Sequence, residues 1–393
     1  MSVKTIVCIS RRLQFVKLAL KAQTNMAGLC RLFRFSRKTG YKWKARFERD
    51  GIRGLQDQSR RPMHSPRQIS CKWLTRLRVL RRRYRHWGSR KLAARLRKDY
   101  GERGMPSART LSKWLKRLNL RRSRSRYKRP LPGPPLPRPV LTQPKRSNHV
   151  WTVDFKGWFR TRDAKRVDPL TVRDLFSRYV LAAHLLQNQR YEPVRRSFVR
   201  LFQRYGYPEV IRVDNGSPFG STGAAGLSQL SAWWTALGIR VEFIAPGHPE
   251  QNGAHEQMHR VFKAEITQPP SSNLRAQQRR ANRWIKQYNY SRPHEGLSQR
   301  TPAELYRPRP QPMRSARLRY DRGWLQRHVR TTGEIKWRGR IRFIGEAFVG
   351  HRLGLKPVDG TRVAVYFGPV MIGELWDSDK GGMRPIKYAK NSK

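Results

Sequence analysis

Between residues 11 and 49 apolar side chains recur at helical spacing. Leu13, Val16, Leu18 and Leu20 stripe a first helix, and Leu29, Leu32 and Phe33 a second. Phe35-Ser36-Arg37 reads as a turn with Ser36 as N-cap. It opens a third helix, Arg37 to Glu48, with Trp43 and Phe47 for its core. This plan predicts a helix-turn-helix domain over 1–64. Residues 72–118 repeat it, with a helix around Trp73–Tyr84, a turn at Trp87-Gly88-Ser89, and Pro106-Ser107-Ala108 opening a helix through Trp114 and Leu118. A second helix-turn-helix-like domain is expected over 65–120. Over 121–148 the periodicity gives way to a basic run, Arg121 to Arg129, and a proline-rich one, Leu131 to Pro144. Proline stiffens such a linker toward extended polyproline conformation.

Residues 149–310 alternate between the two periods. Strands are expected at 150–159, 168–175, 178–186, 209–213 and 240–244, and helices at 190–205, 225–237, 252–267 and 274–289. Three meandering strands followed by helix-separated strands describe a ribonuclease-H-like α/β core. From 318 to 380 short alternating runs containing Phe343, Val349, Val363, Val365 and Phe367 are broken by glycines, a pattern that predicts a small all-β barrel. There Trp324, Trp337, Arg338 and Arg340 suit a nucleic-acid surface, with an aromatic core as the equal alternative. The expected fold is multidomain: N-terminal all-α helix-turn-helix units, a central ribonuclease-H-like core and a C-terminal small barrel.

Charge narrows the partner. The 393 residues include 86 Lys and Arg against 25 acidic residues, a net charge of +61 spread along the whole length. A ribosomal or other solvated basic surface is the bland reading; the spread favours contacts with a long polyanion, DNA or RNA. The 12 Trp, 14 Tyr and 15 Phe can supply real cores, so wholesale disorder is not expected. Cys8, Cys30 and Cys71 form no metal-ligand spacing, which fits a reducing cytoplasmic, nucleoid-associated setting. The apolar stretch Ile6-Val7-Cys8-Ile9 is short and runs into Arg11-Arg12, so it is not read as a signal peptide.

Three carboxylates then stand out. Val150-Trp151-Thr152-Val153 delivers Asp154, Val210-Ile211-Arg212-Val213 delivers Asp214, and a turn ending Asn252-Gly253 delivers Glu256 to the start of a basic helix. Phosphodiester cleavage needs an in-line nucleophile and neutralised charge on two oxygens, which two divalent ions supply. Magnesium prefers carboxylates and water. On the last helix Glu256, Arg260 and Lys263 share one face, placing basic groups for flanking phosphates beside a metal ligand.

These segments resemble insertion-sequence transposases of the retroviral-integrase-like DDE superfamily, over nearly the whole chain. The leading Ser36-Arg37-Lys38-Thr39-Gly40-Tyr41-Lys42-Trp43, followed by Gly54-Leu55 and Ser59-Arg60-Arg61-Pro62, is similar to the family's start. Trp151 to Gly157, Asp214 to Phe219 and Pro249 to Glu256 resemble its three catalytic motifs, and Tyr288-Asn289-Tyr290-Ser291-Arg292-Pro293-His294 and Thr301 to Tyr306 its trailing ones. The resemblance implies a metal-dependent transposase that binds terminal inverted repeats, cleaves the ends and joins a 3′ hydroxyl to target DNA. It implies Asp154, Asp214 and Glu256 as catalytic ligands of two Mg2+ ions, with Mn2+ as substitute. It also implies a homodimer or higher oligomer on double-stranded DNA. Arg37, Lys38, Tyr41, Lys42, Lys44, Arg90, Lys91, Arg109, Lys156, Arg260 and Lys263 are the expected DNA contacts. A non-catalytic DNA-binding regulator derived from a transposase is the alternative.

Three departures matter. The family's usual spacing would place the last carboxylate at Glu250, whereas motif alignment selects Glu256; the loop Gly220 to Gly226 can absorb the difference. The N-terminus lacks the paired His and Cys for zinc that retroviral integrases carry. Finally, Ala254-His255 replaces a more usual basic-aliphatic pair and creates His255-Glu256-Gln257-Met258-His259, literally the H-E-x-x-H of zinc proteases. Its basic flanks, Arg260 and Lys263, argue against that chemistry, and the two histidines are not expected to bind zinc. Glu265 stays open as a third ligand if they do.

Overall fold

The computed structural model describes residues 3–58, 69–120, 141–245, 248–312, 314–315 and 318–386. Contacts divide the chain into two units, 1–68 and 69–393. Ser59-Arg60-Arg61-Pro62 and linker residues 121–140 lie outside the described residues.

The first unit contains α1 (Val3–Ala19), α2 (Met26–Leu32) and α3 (Arg37–Asp50). Asn25 accepts hydrogen bonds from the amides of Ala27 and Gly28, and Ser36 accepts one from Thr39. These bonds satisfy donors that a helix start leaves unpaired. Phe15, Val16, Cys30, Trp43 and Leu55 form the core. Gly40 lies at the crossing: an added Cβ would stand 2.6 Å from Cys30 Sγ and 2.9 Å from Phe15. Only glycine permits that approach.

The second unit opens with α4 (Cys71–Arg83), α5 (Ser89–Tyr100) and α6 (Ala108–Arg117), packed around Trp73, Leu77, Trp87, Leu92, Leu96 and Leu111. Ser107 caps α6 by accepting from Thr110 N. Two ion pairs, Arg90 with Glu295 and Lys98 with Glu304, tie this cluster to the next.

That next part holds β1 (Val150–Phe155), β2 (Phe159–Arg160), β3 (Arg166–Asp174), β4 (Val180–Leu186), α7 (Tyr191–Tyr205), β5 (Val210–Val213), α8 (Gln229–Ala236), β6 (Arg240–Phe243), α9 (Gly253–Phe262), α10 (Leu274–Tyr290) and α11 (Pro302–Leu305). The sheet runs β3-β1-β5-β6, with β4 and the short β2 both pairing with β3. β1 is antiparallel to β3 and parallel to β5, which is parallel to β6. This is the α/β core that the strand and helix spacing predicts.

Pleating turns alternate residues to opposite faces. Trp151, Val153, Leu170, Val172 and Ile211 meet Phe198 and Phe202 of α7 and Trp234 of α8. Each fully buried side chain of this kind contributes about 1.5–3 kcal/mol. The other face takes α9 and α10, with Met258, Phe262 and Trp284 against Val167, Ala183 and Leu185. Asn289 completes the edge of β4, its amide bonding both Val180 N and Val180 O at 2.9 Å.

The C-terminal segment is all β: β7 (Leu325–His328), β8 (Glu334–Trp337), β9 (Arg340–Phe343), β10 (Arg352–Pro357), β11 (Arg362–Phe367), β12 (Val370–Trp376) and β13 (Arg384–Pro385). Here the expected small barrel is not found closed. Strands β13-β12-β11-β10-β7 form one open sheet, and β8-β9 is a separate hairpin, among the described residues. The β13 edge is two residues long, and Pro385 has no N–H to offer a further strand. The sheet's apolar face is instead covered from the core, where Ala225, Leu227, Ala232 and Ala236 pack with Leu353, Val365 and Phe367. Trp337 is buried in this core, while Arg338 and Arg340 are exposed.

Candidate active site

The same pleat that buries Trp151 and Val153 sends Thr152 and Asp154 to the α9 side. Thr152 pairs with Arg212 across the parallel β1–β5 ladder. Carried two residues further, that register sets Asp154 beside Asp214, just past the end of β5. Asp214 Oδ1 accepts from Gly216 N at 3.2 Å, and Asn215 Nδ2 donates to Ile244 O at 2.7 Å, which pins the following turn. Glu256 lies exposed in the first turn of α9, where the helix dipole favours an acid. Arg173 of β3 donates to Ala254 O and so holds that first turn against the sheet. The Glu250 side chain lies outside the described residues.

Electrostatics ties the three carboxylates together. Burial first, then the charge of Asp214, pushes the Asp154 carboxyl up to about 7; Glu256 adds to the rise and Lys156 opposes it. Crowded acids that hold one of their number half-protonated near neutral pH fit a divalent cation, which would remove the repulsion.

A second set of groups reaches Asp154 from α9. One donor atom each from Asp154, His255 and His259 lie within 4.8 Å of one another. Asp214 and Glu256 act on Asp154 as charges but lie outside that tighter cluster. His255 Nδ1 is 2.8 Å from Thr152 Oγ1, and His255 Nε2 is 2.7 Å from Thr171 Oγ1. Thr171, opposite Asp154 in the β1–β3 ladder, also donates to Asp154 O at 2.9 Å and meets His259 Nε2 at 2.7 Å. Burial holds His255 well below its ordinary range; burial with nearby Lys156 and Arg173 brings His259 down to about 3. Both rings are therefore neutral. Since His255 spends both nitrogens on threonines, the H-E-x-x-H pair cannot act as two zinc ligands in this arrangement. Glu265, the candidate third ligand, is held by Trp284 Nε1 at 2.7 Å and Arg292 Nη1 at 3.2 Å.

The expected DNA contacts fall in two settings. Arg37, Lys38, Tyr41 and Lys42 are exposed on α3, with Lys44 half-buried and 4.0 Å from Glu48. Arg109, Arg260 and Lys263 are exposed, and Lys156 is half-buried beside Asp154. Arg90 pairs with Glu295 instead of standing free. Lys91 is half-buried against the core, its ammonium lowered to about 8 by burial and by Arg292. Thr152, Thr171, Arg173 and the role of the two histidines escaped the sequence reading. Their one signal is a polar residue at every second position of an otherwise apolar strand.

Comparison with known proteins follows the same division. Integrase core domain profiles match residues 144–249 and 237–302. A helix-turn-helix domain matches 11–63, a homeodomain-like domain 39–115, and the IS481 family transposase C-terminal domain 326–378. The insertion element IS407 uncharacterized 31.7 kDa protein of Burkholderia multivorans is 29% identical over 189 residues, 48% of this chain and 64% of that protein. The insertion element IS476 uncharacterized 39.2 kDa protein of Xanthomonas euvesicatoria is 29% identical over 185 residues, 47% of this chain and 50% of that protein. The chain thus spans half to under two thirds of the length of these relatives. Among solved structures, the HTLV-2 integrase catalytic core domain in complex with magnesium aligns over 42% of this chain and 100% of its own, at 16% identity and a TM-score of 0.34. A chain of the simian T-cell lymphotropic virus intasome aligns over 80% of this chain and 100% of its own, at 16% identity and a TM-score of 0.38. With integrase-core profiles at its centre, helix-turn-helix profiles before them and a transposase C-terminal profile after, the chain carries an integrase core domain and is similar to insertion-sequence transposases of the integrase-like superfamily.

Proposed function

We propose that the protein is a metal-dependent polynucleotidyl transferase that cuts and joins the ends of its own element. The observation that carries this reading is the Asp154 carboxyl at the end of β1, raised by its burial and by the charges of Asp214 and Glu256. Asp154, Asp214 and Glu256 would hold two Mg2+ ions, with Mn2+ able to substitute. Such ions supply positive charge for the attacking and leaving oxygens of an in-line displacement. Lys156 beside Asp154, and the exposed Arg260 on α9 and Lys263 just after it, would supply cations for the flanking phosphates. Water attack frees a 3′ hydroxyl at the element end, and that hydroxyl attacks a target phosphodiester. No side-chain nucleophile takes part, so no covalent protein–DNA intermediate forms.

The exposed row Arg37, Lys38, Tyr41 and Lys42 on α3 has the placement of a recognition helix in a major groove, reading terminal inverted repeats. Arg109 on α6 also contacts end DNA, and the exposed Arg338 and Arg340 grip flanking or target DNA. In this division residues 1–64 and 65–120 bind ends, 149–310 perform the chemistry and 318–380 hold DNA. Pairing two ends requires at least a dimer on DNA, in a cytoplasmic, nucleoid-associated setting. No helix among the described residues is long and apolar enough to cross a membrane.

The test is cleavage and strand transfer of labelled end DNA with and without Mg2+, for wild type and Asp214→Asn. Metal-dependent products from wild type alone are expected. Identical behaviour of the two would refute the enzyme and favour a non-catalytic DNA-binding regulator; a trapped covalent adduct would refute the mechanism.

A further inference from the structure

The Thr171 hydroxyl is a bookkeeping device for protons. An alcohol has one hydrogen and two lone pairs. Three groups lie within hydrogen-bond distance of it: Asp154 O at 2.9 Å, His255 Nε2 at 2.7 Å and His259 Nε2 at 2.7 Å. A backbone carbonyl has no hydrogen to give, so the hydroxyl donates to Asp154 O. Both imidazoles must then donate their Nε2–H to the two lone pairs. For His255 the consequence closes: its Nδ1 accepts from Thr152 Oγ1 at 2.8 Å. For His259 it does not. With its Nε2 committed to Thr171 at 2.7 Å, the ring turns Nδ1 toward Asp154 Oδ2 at 3.6 Å, too far for a hydrogen bond between them. A proton on either atom would draw the two to hydrogen-bond distance; at 3.6 Å the gap instead has room for a cation that both could bind.

We propose that His259 Nδ1 is a further ligand to the divalent ion held by Asp154. The inference rests on Asp154 as a metal-holding carboxylate and adds a nitrogen to what the three-carboxylate reading makes an all-oxygen site. Donors about 2.0–2.2 Å from one ion stand about 3.0–3.5 Å apart, so the observed 3.6 Å needs little closure. Glu256 and His259 are three residues apart on α9 and so project side by side. A Glu-x-x-His pair on one helix is a recurrent way to give a metal one oxygen and one nitrogen. The ring cannot turn away cheaply, because its other nitrogen is committed to Thr171 and the side chain is 7% exposed. Imidazole in an otherwise carboxylate site shifts preference from Mg2+ toward Co2+ and Zn2+.

The experiment uses the full, tag-free chain without DNA. Mn2+-loaded protein is examined by electron spin echo modulation, unlabelled and with 15N-histidine. Co2+ and Mg2+ affinities are measured by titration calorimetry for wild type, His259→Asn, His255→Asn and Asp154→Asn. Expected are modulation from directly bound 14N, its replacement by the 15N pattern on labelling, and its loss in His259→Asn but not in His255→Asn. Co2+ affinity relative to Mg2+ should fall in His259→Asn by at least the ~10–100-fold typical of losing an outer-shell partner. The labelling arm needs no substitution and decides the matter if a variant fails to fold. Metal binding without nitrogen modulation overturns the ligand role of His259 alone, as does modulation that survives in His259→Asn. Binding absent from wild type, or unchanged in Asp154→Asn, overturns the carboxylate site itself.

Discussion

Replacing Thr171 with valine should loosen the centre of the sheet far more than its small change in shape suggests. The two side chains have nearly the same volume, so packing is retained. What is lost is the oxygen that receives His255 Nε2 and His259 Nε2 and donates to Asp154 O. Thr171 is 0% exposed and the two histidines 0% and 6%, so water cannot step in without opening the structure. Each buried donor left unmade costs about 1–3 kcal/mol. Two such donors give about 2–6 kcal/mol, with about 3 kcal/mol as a working figure. At about 1.4 kcal/mol per factor of ten, the local opening equilibrium should rise roughly a hundredfold. Hydrogen exchange read by mass spectrometry on peptides from β1 and β3 reports that equilibrium directly. Thr171→Ser is the control, since it keeps the hydroxyl and loses one methyl, about 1 kcal/mol. A Thr171→Val protein whose β1 and β3 amides exchange no faster than those of Thr171→Ser would refute the shared-hydroxyl account and with it the assignment of ring protons.

Other consequences are open to simpler measurements. Asp154 has a folded-state value near 7, above its ordinary 3.8, so the stability tied to its protonated form is fully present below about pH 4 and is lost as pH rises through 7. In EDTA, thermal melts should therefore show wild type losing stability relative to Asp154→Asn between pH 4 and 7, and divalent metal should reduce that loss; parallel curves would contradict the shift. Lys42 is exposed on α3, and if it neutralises one phosphate Lys42→Ala should lower the salt slope of end-DNA binding by about 0.9. An unchanged slope removes Lys42 from the interface. Glu242 accepts from Thr142 N, Thr142 Oγ1 and Arg212 Nε at 2.7–2.9 Å, and its side chain is 13% exposed. Glu242→Ala should cost about 3–5 kcal/mol by stranding Arg212, visible in urea unfolding. A loss below about 1 kcal/mol would mean that the pair is effectively solvated. Exposed Arg90–Glu295 is the contrast: Glu295→Ala should change stability by no more than about 1 kcal/mol in the same assay.

How much could be read in advance varies along the chain for physical reasons. Helix starts were legible because capping is local: Ser36 and Ser107 each bond an amide three residues on. The placement of Asp154 and Asp214 near strand ends was legible because apolar runs lead into them. The second helical cluster was legible as helices, but the turning of Lys91 toward the core was not, since its neighbours Arg292 and Glu265 come from far along the chain. The β runs of the C-terminal segment were visible too. Whether they close depends on the hydrogen-bonding edge left by Pro385 and on the cover supplied from α8, neither of which alternation encodes.

His255 and His259 mark the boundary most clearly. By itself the sequence determined that they lie one helical turn apart, flanking Glu256 on a helix that begins at Asn252-Gly253. It also determined that Thr152 and Asp154 share a strand face, because strand side chains alternate with a period of two. Only the tertiary structure decided that α9 lies across that face, that Thr171 stands opposite Asp154, and that one hydroxyl meets both rings. The register of two antiparallel strands and the seat of a helix upon them are long-range matters of packing. A proton's position on an imidazole is set only once those contacts exist, and so is the direction of the lone pair on His259.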